Sequence, residues 1–169
     1  ECDRPPDPSR PASIGDGFKA FAFLDSSGPT PGACASVQLS ITTVNCTAWS
    51  SLMAWLPNCT ASIICVQEHK LTAEQCNVMG AVLDSIGWTS VWSPGVIAEA
   101  NMSSGVAILA RHGIGLVDAE ISTSQPHRLI GAHVDAPGHP RFLLQSIYQT
   151  VGDEMKDQDN VDLAADAFA

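Results

Sequence analysis

The run Ala61-Ser62-Ile63-Ile64-Cys65-Val66-Gln67-Glu68 constrains this chain more than any other stretch. Its continuous apolar stretch, Ile63 to Val66, leaves a strand with no polar face. Such a strand is buried on both sides, so layers of structure must lie above and below it. The neighbouring segments can supply those layers. VQLSITTVN (37–45) is β-branched, alternates Val37, Leu39 and Ile41 with smaller or polar residues, and reads as a strand. Trp49, Leu52, Met53 and Leu56 fall at helical spacing until Pro57 stops the helix. In LTAEQCNVMGAVLDSIG (71–87), Thr72 is the expected N-cap and Gly87 the C-terminal stop. Val78, Val82 and Ile86 recur once per turn there, which predicts an amphipathic helix.

Beyond Gly87 the chain turns to short β-rich segments, WTSVWSP, GVAILAR, GIGLVDA, HRLIGAHV and RFLLQSIYQ, punctuated by Gly, Pro, Ser and Asn. The last residues, NVDLAADAFA, read as helical. The predicted class is α+β, with a sheet at its core and the domain spanning residues 37–169. Residues 1–36, rich in Pro, Gly, Ser and Asp, read as a poorly ordered leader interrupted by the apolar patch Phe18–Leu24.

Charge bears on partners. With 8 Lys+Arg against 18 Asp+Glu the formal charge is −10, opposite in sign to a surface built to bind a polyanion. Any nucleic-acid role must then rest on a metal and a local site. The six cysteines (Cys2, Cys34, Cys46, Cys59, Cys65, Cys76) form no C-x-x-C pair, and Cys46 and Cys65 sit within or beside apolar runs. They are expected to be reduced and buried, and the location intracellular. A secreted binding module using the cysteines and the sequons at Asn45, Asn58 and Asn101 is the competing reading. No apolar stretch is long enough to span a bilayer. The five histidines show no helical metal-binding spacing, and no G-x-S-x-G or G-x-G-x-x-G occurs.

The chemistry concentrates where strands end. Glu68 closes the apolar strand and Asn45 closes the first one. Ligand sites collect at the C-terminal edges of such strands. Two readings are open. Asn45 caps the next helix and Glu68 is a surface charge, or the two project from one edge as oxygen ligands for a divalent cation.

Taken in order, strand-Asn45, helix, VQEHKL, GWTSVWSP, SSGVAILARHGIG and HRLIGAHV resemble the opening of the endonuclease/exonuclease/phosphatase (DNase-I-like) superfamily, from about Leu39 to the last residue. The phrases look closest to retroelement-type endonuclease domains. The resemblance implies the N-terminal part of a four-layer α/β/β/α sandwich, truncated, contributing about one sheet's share. It implies a Mg2+ or Mn2+ cofactor held by Glu68 with Asn45 beside it, and catalytic roles for Asn45, Glu68 and Tyr148. Tyr148 matches the aromatic residue that contacts the scissile phosphate, and Lys70 the basic residue two places after the glutamate. His133 is assigned to the sheet. The implied partners are nucleic acid, through the metal and local site, and a reverse transcriptase or other domain downstream; the implied compartments include the nucleus.

The family's later Gly-Asp-x-Asn and Ser-Asp-His motifs are not in this sequence, Asp159-Asn160 being adjacent and expected before a helix. Ser104 stands where the family commonly has a second Gly. The expectation is a fragment of a DNA endonuclease, inactive alone. An inositol-phosphate or lipid phosphatase of the same superfamily is the alternative. Another is a non-catalytic remnant whose sheet, lacking its partner, exposes an apolar face.

Overall fold

A computed structural model describes residues 38–46, 48–98, 101–149 and 154–168. The leader 1–36, including Phe18–Leu24, Cys2 and Cys34, lies outside the described residues, as does Val37, the expected start of the first strand.

The elements run β1 (Ile41–Asn45), α1 (Trp49–Trp55), β2 (Ile63–Gln67), α2 (Ala73–Ser85), β3 (Trp88–Ser93), β4 (Val96–Ala98), β5 (Asn101–Ser103), β6 (Val106–Arg111), β7 (Gly115–Asp118), β8 (Leu129–Asp135), β9 (Phe142–Ile147) and α3 (Glu154–Ala167). Pro57 does not end α1 outright: the chain tightens into a 3-10 turn over Leu56–Asn58, where a proline in the first turn lacks nothing the turn needs. Helix α2 begins with a full capping box, Thr72 accepting from the Gln75 amide while the Gln75 side chain accepts from the Thr72 amide. Past its end Gly87 adopts a left-handed φ of 89°.

Two sheets pack face to face. The first has the order β1-β2-β6-β3, with β1 and β2 parallel and the rest antiparallel. The second is β7-β8-β9, antiparallel throughout. All of β2 is buried, as its composition requires. Ile64 and Val66 face one way, into a core closed by Leu52 of α1, Leu83 of α2 and Trp88. Ile63 and Cys65 face the other way, against Ile130, Ala132, Val134 and Leu144 of the second sheet. On that sheet's outer side Leu163 and Ala167 of α3 pack on Leu129, with Ile121 and Ile147 at the margin. The layers are therefore α/β/β/α.

This corrects two expectations. The chain supplies strands to both sheets, and the first sheet is covered on both faces. The physical reason lies in β8 and β9, whose alternation gives each an inward apolar row (Ile130, Ala132, Val134; Leu144) that can only be satisfied against β2 and β6. A third correction concerns α2. Val78, Val82 and Ile86 are exposed, and the buried face carries Cys76 and Leu83 instead. Gly80 lies on this buried face, with Trp92 and Ser90 of β3 at ordinary van der Waals distance from where a Cβ would stand. Asp159-Asn160 falls inside α3, not before a helix.

Cys46, Cys59, Cys65 and Cys76 are free and buried, as expected. No helix among the described residues is long and apolar enough to cross a membrane.

Candidate functional site

β1 and β2 are parallel neighbours in the register Asn45↔Gln67, so Asn45 and the residue after Gln67 leave the sheet at the same edge. Asn45 is exposed there, on the side of β1 that Ile41 turns toward the second sheet.

The chain leaving β2 is under strain. Glu68 and Lys70 hold left-handed φ values of 56° and 55°, a conformation that costs a residue bearing a Cβ. His69 between them is the anchor. Its ring is 2% exposed, edge-on to Trp92, with Nδ1 accepting from the Leu71 amide at 3.1 Å and Nε2 3.1 Å from the Ser93 carbonyl. With Nδ1 an acceptor, Nε2 carries the proton and donates. Burial pushes the His69 pKa below its usual value, which keeps the ring neutral. Gly105 is the floor beneath it: a Cβ added there would lie 2.6 Å from His69 Cε1. The amides of His69 and Lys70 donate to the carbonyls of Gly105 and Ser104 at 3.3 and 3.0 Å. Once His69 is pinned inward, Glu68 and Lys70 on either side can only turn outward.

Glu68, half-buried, meets Tyr148, which lies just past β9 of the second sheet. The Tyr148 hydroxyl donates to Glu68 Oε1. Burial pushes the Tyr148 pKa up to about 12; the hydrogen bond to Glu68 and its charge add to the rise, and Arg128 opposes it. Cys46, just past β1, is raised to about 11 by burial, and it feels the charges of both Glu68 and Lys70. The ends of β1, β2 and β9 thus converge on one place, the mouth between the two sheets.

Two solved structures are similar to this chain in fold. One is the 3′ phosphatase NExo from Neisseria bound to product DNA hairpin, 21% identical, with a TM-score of 0.54 over 77% of this chain and 51% of that one. The other is a 3′–5′ exonuclease from Neisseria meningitidis, also 21% identical, with a TM-score of 0.50 over 76% of this chain and 51% of that one. The fold is DNase-I-like, as in these structures. The chain spans about half the length of these structures. No family model and no curated protein matches it.

Within this DNase-I-like half, the structure joins Glu68 to Tyr148 and sets Asn45 on the same edge. Lys70 is exposed beside them. His133 lies within β8, paired with Leu143 and Val117, away from that edge. Among the described residues no cluster of three or more His, Cys, Asp or Glu is placed to hold a metal. The donors present are oxygens: one carboxylate, the amide of Asn45 and the phenol of Tyr148. Such a hard set suits Mg2+ or Mn2+, which commonly take one or two carboxylates and complete their shell with water and substrate phosphate.

Two participants escaped the sequence reading. Gln67 is 4% exposed; its Nε2 donates to the Ile147 carbonyl at 3.1 Å, and its Oε1 is buried without a hydrogen-bond partner among the described residues. Arg128 is also 4% exposed and holds the Tyr148 carbonyl through Nε at 3.0 Å. A charged residue opening a strand gives no signal of burial; an apolar run ending in Gln gives a faint one.

Proposed function

We propose that this chain carries the metal-holding half of a phosphodiesterase site acting on DNA. The observation that supports it is the Tyr148 hydroxyl on the Glu68 carboxylate, at an edge shared with Asn45. Glu68 would hold the cation with Asn45 beside it. A bound divalent ion there would neutralise phosphate charge and favour ionisation of an attacking water. Tyr148, 80 residues away in sequence and hydrogen-bonded to Glu68, would donate to a phosphate oxygen once the ion draws Glu68 away. Lys70 supplies an exposed positive charge two residues from Glu68 in a chain of net charge −10, so affinity for DNA would come from the ion and this local pair, with a shallow salt dependence.

DNA is favoured over inositol phosphates or lipids because one structure of the same fold is bound to a DNA hairpin. The sequence phrases point further to an endonuclease of retroelement type. Gly-Asp-x-Asn and Ser-Asp-His patterns are not in the 169 residues, so this chain by itself is expected to bind the ion weakly and to turn over little or no substrate.

The test exploits Tyr148 being the chain's single tyrosine. In a chain labelled with 13C at the tyrosine Cζ, paramagnetic Mn2+ should broaden the one resonance at roughly millimolar concentration, as expected of an ion with a single carboxylate ligand. Glu68→Gln should weaken that broadening at least about tenfold, the scale of one lost charged ligand. Broadening of equal strength in Glu68→Gln would sink the proposal.

A further inference from the structure

Strand β9 stops at Ile147, yet the next peptide is not loose. Two successive carbonyls, those of Ile147 and Tyr148, accept from buried side chains where a strand neighbour would otherwise serve. Gln67 Nε2 takes the first at 3.1 Å and Arg128 Nε takes the second at 3.0 Å. The Tyr148 amide in turn donates to the Arg128 carbonyl at 2.8 Å. From the second sheet's own side Arg128 is braced by Gln125 Oε1 and by Asn160 of α3.

Gln67 is also the residue immediately before Glu68. A closed circuit results: Glu68, Gln67, the Gln67 amide to Ile147, the peptide to Tyr148, and the Tyr148 hydroxyl back to Glu68. We infer that Gln67, with Arg128 gripping the next peptide on the other side of Tyr148, is a positioning residue that sets Tyr148 against Glu68. This rests on the reading of Glu68 and Tyr148 as a phosphodiester site.

The unpaired Oε1 of Gln67 separates this role from plain packing. A buried amide oxygen without a partner is a net cost to folding, and an apolar side chain of similar size would avoid it. If residue 67 served only the core between the sheets, where Ile63 and Cys65 already face apolar neighbours, methionine would serve it as well or better. A buried guanidinium is likewise a poor choice for packing alone. Burial drives the Arg128 pKa down, the charge of Asp159 and then Tyr148 oppose the fall, and the guanidinium hydrogen-bonds the Tyr148 carbonyl, Gln125 and Asn160. Both costly polar groups hold a peptide that flanks Tyr148, Gln67 the one before it and Arg128 the one after.

The experiment is the metal-free 13C spectrum of the labelled tyrosine in the full chain, with thermal unfolding measured alongside. In Gln67→Met the unfolding midpoint should stay level or rise, while the Tyr148 resonance moves toward its position in Glu68→Gln. Arg128→Lys, which retains one donor, should move it the same way by less. A resonance in Gln67→Met that coincides with wild type would overturn the inference, and so would loss of the fold, since an apolar isostere should be tolerated. These readings need no metal. If Mn2+ fails to broaden Tyr148 in the wild type, the phosphodiester reading falls while the positional effect of Gln67 can still be seen.

Discussion

The centre of the sandwich and the mouth at its edge are built from the same strands under opposite rules. In the centre, β6 and β2 as far as Val66 obey local preference: Ile63, Ile64, Val66 and Ile108 are β-formers and, with Leu109, fully buried, with antiparallel partners in unbroken register. A few residues further along, Glu68, Lys70 and Ser104 hold left-handed backbone, His69 and Arg128 are buried, and Gln67 keeps an unpaired oxygen. One region has no local conflict, and the other concentrates most of the conflicts in the described chain. Strain and buried polarity persist where the surrounding structure over-determines them, and they cluster where side chains are held for chemistry. The difference teaches that the centre sets stability and the mouth draws on it.

Breaking the centre should therefore cost most. Leu109→Ala, at a fully buried position against Leu52 and Leu83, should lose about 2–5 kcal/mol in denaturant unfolding. A loss below about 1 kcal/mol would mean that the centre is no better packed than a surface and would dissolve the contrast. Next comes the joint between the two regions. Gly105→Ala adds a Cβ at φ 87° and drives it into the His69 ring, at a predicted cost of about 1–3 kcal/mol. Because His69 turns Glu68 outward, the same change should also shift the Tyr148 resonance. A Gly105→Ala chain as stable as wild type would show that His69 is not pinned.

The mouth itself should favour glycine over a residue with a Cβ. Glu68→Gly and Glu68→Ala both delete the carboxylate that Tyr148 holds, but only glycine relieves the left-handed backbone, so Glu68→Gly should be more stable than Glu68→Ala by about 0.5–1 kcal/mol even as Mn2+ broadening of Tyr148 disappears in both. If Glu68→Gly is instead no more stable than Glu68→Ala, the Glu68 conformation is not a strain carried for function.

The centre was legible in the sequence and most of the mouth was not. Ile63–Val66 declared a strand buried on both faces, and Thr72 and Gly87 bracketed α2 to within a residue, because these are signals carried by adjacent residues. The face of α2 was misread, since Val78, Val82 and Ile86 make as regular a stripe as Cys76 and Leu83, and only the packing of the helix in the folded core decides between them. The division into two sheets was also hidden, because strand propensity does not say which strands pair. Glu68 and Tyr148 stood out as types at strand ends, but their contact spans 80 residues. Gln67 and Arg128 became visible only when the structure showed which peptides they hold.

The smallest effect sharpens the contrast without disturbing the core. Tyr148 should titrate near pH 12, against about 10 for a free tyrosine, and as the chain's single tyrosine its ionisation can be followed directly by tyrosinate absorbance. A phenol whose folded pKa is raised stabilises the native state fully below about pH 10, and that contribution is lost as pH rises through about 12. Glu68→Gln removes the carboxylate charge but leaves the burial, which is the larger cause. Its midpoint should therefore fall part of the way toward 10, and the alkaline loss of stability, still beginning near pH 10, should be smaller and complete at a lower pH. A midpoint unmoved by Glu68→Gln would mean that burial alone sets the Tyr148 pKa and that the two residues do not meet in solution. The mouth would then be two separate strand ends, with the contrast to the centre resting on backbone strain alone.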